Sequence, residues 1–126
     1  MTLSRRHLLA TLAMLSLPRP SFASAADAVG PLLDLLDDRQ AAATLGGAWL
    51  KQTNQQPGVV LALLQSRLRG QGWSGEADRD ALRNAMAASV ADDFRTGDMV
   101  TIEGWQVAKA QAELCALAYF AETGSL

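Results

Sequence analysis

Apolar positions recur every three to four residues over most of this chain, the spacing of helices that bury one face. Pro31 suits the first turn of a helix, and Leu32, Leu33, Leu35 and Leu36 follow it. A second helical pattern runs from about Asp38 to Thr53, with Ala42, Leu45 and Trp49 on its apolar face. Gly46-Gly47 in its middle weakens that helix by about 1 kcal/mol per glycine, which implies a close backbone approach to a neighbour. Asn54 to Gly58, with Pro57, reads as a break or a helix start. From Gly58 to Leu68 the apolar residues are dense, and Gln65, Arg67 and Arg69 mark the wet side of a largely buried helix. Gly70 to Gly75 is a loop from which Trp73 folds back onto the core. Glu76 to Arg95 forms the clearest amphipathic helix: Leu82, Met86, Ser89 or Val90, and Phe94 follow helical spacing, while Arg79, Asp80, Arg83 and Asn84 face water. Asp80 and Arg83 can pair three residues apart, and Gly97 is a C-terminal stop.

The period changes over Asp98 to Val107. Val100 and Ile102, then Trp105 and Val107, flank Glu103-Gly104, the pattern of a small two-stranded hairpin with glycine in its turn. Such a hairpin is marginal alone and must pack on the helices. A last helix is expected from about Ala108 to Glu122, opening on the polar positions Lys109, Gln111 and Glu113. Leu114 to Ala121 then runs without a polar break except the Tyr119 hydroxyl and the Cys115 thiol. A stretch apolar on every side must be surrounded; leaving Leu117 or Phe120 in water would forgo about 1.5–3 kcal/mol each. Either this is the central helix of the domain, or one side of it docks on another protein through Leu114, Leu117, Tyr119 and Phe120. The expected fold class is all-α, a small bundle of four to five helices with one short β-hairpin near residues 98–107.

The first 25 residues follow a different logic. Arg5 and Arg6 supply a basic start, Leu8 to Leu17 an apolar stretch too short to span a bilayer, which takes about 20 residues, and Pro18 and Pro20 end any helix. Ala23-Ser24-Ala25 fits a small-residue cleavage site. Ser4, Arg5, Arg6, Leu8 and Leu9 resemble the twin-arginine export motif S-R-R-x-F-L-K, with Leu8 in place of Phe and Ala10 in place of Lys. The resemblance implies a signal over residues 1–25, cleaved at the site formed by Ala23 and Ala25 so that the mature chain starts near Ala26, and a single small domain over 26–126 delivered to the periplasm. The partners it implies are the twin-arginine translocase and signal peptidase. An ordinary secretory signal, or a signal retained as an anchor, is the alternative.

Charge and composition narrow the chemistry. Three of the 11 basic residues lie in the signal, so residues 26–126 hold 8 against 13 acids, a net charge of −5. An acidic chain with no basic stripe is a poor candidate for nucleic acid, and the mature segment contains no direct membrane span. His7 is the only histidine and falls in the signal, which removes the usual general base, metal ligand and haem ligand from the mature domain. Cys115 is the only cysteine, so no internal disulfide can form; a packed thiol is the plain reading. Gly70-Gln71-Gly72-Trp73-Ser74-Gly75 spells G-x-G-x-x-G, but a helix rather than a strand precedes it and Trp73 crowds the place of a pyrophosphate. The carboxylate groups Asp92-Asp93 with Asp98, and Asp34 with Asp37-Asp38, lack a calcium-loop layout and read as solvated helix ends, with Asp93 holding the turn that follows it. No catalytic, metal-ligating or cofactor-binding residue is expected.

The series Asp93-Phe94, Gly97, Val100, Gly104-Trp105 and Glu113-Leu114-Cys115-Ala116-Leu117 resembles a family of small bacterial periplasmic proteins with twin-arginine signals. In that family an acidic-aromatic pair, a hairpin ending Gly-Trp and a helix with Ala-Leu recur. Ala108 and Ala110 depart from the Ser or Thr, and the acid or Thr, that open the last helix there, which weakens its cap. The resemblance implies no catalytic residues. In organisation the chain also looks like the small subunits of flavin dehydrogenases for sugars and alcohols, which carry a signal for a larger, cofactor-containing enzyme subunit that lacks one. The expected role is a non-catalytic accessory subunit that helps export or stabilise such an enzyme. The alternative is a stand-alone periplasmic binding or structural protein; an enzyme in its own right would lack the usual titratable groups.

Overall fold

The computed structural model describes residues 28–75 and 78–126. The export signal expected over residues 1–25 lies outside them, as does the helix start expected at Glu76. Residues 28–33 are helical. They lead into α1 (Arg39–Thr53), α2 (Pro57–Gly70), α3 (Arg79–Thr96), strands β1 (Met99–Ile102) and β2 (Trp105–Ala108), and α4 (Lys109–Glu122). The fold is a small all-α bundle with one short hairpin.

Local chemistry sets the boundaries. Asp38 caps α1 by accepting from the Ala41 N–H at 3.0 Å, and Asn54 ends it in the left-handed conformation, φ 54°. Pro57 occupies the first turn of α2, where its missing N–H is harmless. Asp78 caps α3, and Gly97 at φ 78° stops it. In the hairpin Val100 faces Val107 and Ile102 faces Trp105. Glu103 and Gly104, with φ of 50° and 85°, give the doubly left-handed turn that suits the twist of two strands.

The core is organised around α4, which packs against α1, α2, α3 and both strands. Ala112, Leu114, Ala116, Leu117, Ala118 and Phe120 are all buried. Of the two readings of its apolar run, the structure has the central helix. The glycine pair of α1 makes this possible. A Cβ on Gly46 would lie 2.1 Å from the carbonyl oxygen of Cys115, and one on Gly47 2.8 Å from the Tyr119 ring. The two helices therefore meet backbone to backbone, which only glycine permits. Trp73 folds back into the core beneath the Arg69 guanidinium, 5.7 Å from the ring centroid.

Four expectations are corrected. On α2 the buried stripe is Val60, Leu61, Leu64 and Leu68, while Val59 and Leu63 stand in solvent; one helix face suffices to cover α4. Arg67 leaves the wet side and turns into a group of carboxylates. On α3 the inward face is Leu82, Ala85, Met86, Ser89 and Asp93, so Phe94 points out, 58% exposed. Asp93 and Glu113, expected at wet positions, are buried.

Candidate functional site

Two features adjoin one another where α3, the hairpin and α4 meet: an apolar trough on the outer side and a charged latch on the inner side. Asp93, buried, belongs to the latch, and its sequence neighbour Phe94, exposed, belongs to the trough.

The latch centres on Arg67. Its Nη1 donates to Asp93 Oδ1 at 3.0 Å and its Nη2 to Asp98 Oδ2 at 3.0 Å. Its Nε lies 2.9 Å from Glu113 Oε1. That N–H is not aimed at the oxygen, so neither carboxylate oxygen of Glu113 receives a hydrogen bond, and the residue is wholly buried. One guanidinium thus joins α2 to the end of α3, the start of the hairpin and α4. Burial opposes the Arg67 charge, but the Asp98 hydrogen bond and the carboxylates of Glu113 and Asp93 outweigh it and raise its pKa. For Glu113 the balance is opposite. Desolvation outweighs the attraction of Arg67 and Lys109, with repulsion from Asp93 and Asp98 added, and lifts its pKa from 4.5 to about 7.

Asp93 has a second task. Its other oxygen, Oδ2, accepts from the Ala110 N–H at 2.8 Å in the first turn of α4, and Gln111 Oε1 returns to the Ala108 N–H at 3.2 Å. The cap that Ala108 cannot provide comes from a carboxylate 17 residues earlier. Asp93 does hold the following chain, but through the opening of the next helix. Its place in the buried stripe follows from these two duties.

The trough has a volume of about 760 Å³ and is open to solvent. Its long wall is one face of α3: Arg83, Met86, Ala87, Val90, Ala91 and Phe94. Leu35, Leu36 and Leu45 also line the trough, with Val107, Gln111, Leu114 and Cys115. Among the described residues Arg83 is the only charged side chain in this lining. The Asp80–Arg83 pair expected from spacing is not made: the ion pairs among the described residues are Arg39–Asp34, Arg95–Asp92 and those of Arg67. Burial pushes the Cys115 thiol up to about 11, which keeps it neutral and makes it apolar lining.

Of the residues expected to dock, Leu117 and Phe120 lie inside the core, Leu114 forms part of the trough lining, and Tyr119 reaches the surface over Gly47. Sequence reasoning missed Arg67, Glu113 and Arg83. A signal existed for the first two: Arg67 falls three residues after Leu64 and beside Leu68, and Glu113 three residues after Ala110 and before Ala116, all on buried stripes. Arg83 carried no comparable mark. Among the described residues no group of three or more His, Cys, Asp or Glu is set to hold a metal ion, and no helix is long and apolar enough to cross a membrane. No family model, curated protein or solved structure matches the chain.

Proposed function

We propose that the protein is a small periplasmic accessory subunit, exported by the twin-arginine route, that binds a cofactor-containing enzyme and helps export or stabilise it. A sugar or alcohol dehydrogenase is the class of enzyme proposed. The observation that carries this reading is the trough, a continuous apolar surface ending at an exposed Phe94. Apolar surface of this kind on a small soluble domain marks a place where something binds. The motif Ser4-Arg5-Arg6 supports the route. The charge-dense latch is a structural joint, and the thiol at the trough is neutral, so the reading assigns neither a catalytic role.

The test compares periplasmic proteins of cells with and without the gene. Loss of the gene is expected to remove from the periplasm one cofactor enzyme that has no signal of its own. The same enzyme should be lost when Arg5 and Arg6 are both changed to Lys, with precursor held in the cytoplasm. A periplasm that differs only by the absence of this protein would defeat the proposal.

A further inference from the structure

We infer that the trough receives an amphipathic helix of about three turns from the partner protein, apolar on the seated face and bearing a carboxylate that meets Arg83. This rests on the docking role proposed above and names what docks. The length comes from α3. Phe94 lies 11 residues after Arg83, about 16 Å at about 1.5 Å per residue, and Met86, Ala87, Val90 and Ala91 lie between them on the same face. Those spacings of three and four present the ridges and hollows into which another helix packs. The middle of the wall is low at Ala87 and Ala91, with larger side chains at Met86, Val90 and Phe94.

The shape selects a helix over the other candidates. Sites for small molecules enclose about 70–90% of their ligand, whereas this trough is open to solvent rather than enclosed. A docking strand needs a row of free backbone groups, and the lining offers a single strand residue, Val107. The charge selects the flanking residue. Among the described residues Arg83 has no acidic partner and no carboxylate shares its lining. An isolated guanidinium at the edge of an apolar contact steers an approaching acid and repels a base.

The probes are two fluorescein-labelled helical peptides of 16 residues with leucine at every third and fourth position, one with Glu near both ends and one with Lys there. Binding to the purified protein is followed by fluorescence anisotropy, with dodecanoate as a competitor. The Glu peptide is expected to bind at least tenfold more tightly than the Lys peptide. Arg83→Gln should abolish that ratio, and Ala87→Trp, which fills the trough, should weaken both peptides at least tenfold while urea unfolding confirms a folded domain. Equal binding of the two peptides, no saturable binding of either, or binding of dodecanoate without binding of the Glu peptide would overturn the inference. A chromosomal Arg83→Glu allele separates this failure from that of the docking role. If deletion of the gene empties the periplasm of the enzyme but Arg83→Glu leaves it in place, the accessory role stands and the acidic helix does not.

Discussion

Replacing Glu113 by Gln is expected to stabilise the protein above neutral pH and to change little below pH 4.5. Glutamine has the shape of the protonated acid and never ionises. In the folded state the Glu113 proton is lost near pH 7, against 4.5 for the ordinary side chain. Below pH 4.5 both states are protonated and the residue makes no pH-dependent contribution. As the pH rises, the unfolded chain releases the proton first while the folded chain keeps it, so stability falls between about 4.5 and 7 and levels off beyond. At about 1.4 kcal/mol per pH unit, the loss reaches about 3 kcal/mol. The assay is urea unfolding of both proteins from pH 4 to 8, followed by tryptophan fluorescence, since Trp49 is buried. The difference between the two proteins reads the Glu113 ionisation together with its coupling to Arg67, Lys109, Asp93 and Asp98. It should grow to about 3 kcal/mol by pH 8, a rise in Tm on the order of 10 °C. The opposing physics is the ion pair: breaking a buried pair that truly stabilises costs about 3–5 kcal/mol. A Glu113→Gln protein less stable than the parent at pH 8, or a difference that does not vary with pH, would refute the reasoning.

Gly46→Ala gains about 1 kcal/mol in helix propensity but drives a methyl into the Cys115 carbonyl. A net loss of about 2 kcal/mol or more is expected by urea unfolding, against a gain of up to about 1 kcal/mol for Gly58→Ala, which is also helical and where nothing lies within 4 Å. Leu117→Asp places an unpaired charge at a fully buried position; circular dichroism should show no cooperative unfolding transition. Cys115 should resist Ellman's reagent at pH 7.5 for an hour in the native protein and react at once in guanidinium, since its thiol is pushed up to about 11.

The helices were legible because caps and breakers stand where chain geometry needs them: Asp38, Pro57 and Gly97 each mark a boundary that the structure uses. The glycine pair announced a close contact because its propensity cost requires a compensating one. The polar positions were less legible. Periodicity ranks residues by side-chain type, and it sends Arg67, Asp93 and Glu113 to the solvent. What buries them is mutual compensation between residues 20 to 46 positions apart, which no local window contains. The same limit explains Phe94. With Leu82, Ala85, Met86, Ser89 and Asp93 forming the inward face of α3, Phe94, about 100° further round the helix, falls outside it. The proposed docking surface was sought on α4, whereas the trough that carries the proposal is walled mainly by α3.

The crossing of α1 and α4 joins Gly46 to Cys115, residues far apart along the polypeptide. A growing chain that has made α1, α2, α3 and the hairpin still lacks the post around which they stack. Leu64, Leu82 and Trp49 have nowhere to shelter until the final helix is synthesised. Assembly of this molecule is accordingly a late and concerted event, and loop closure over such a span sets its pace. Fragments that stop before α4 should be clients for chaperones and proteases rather than half-built domains.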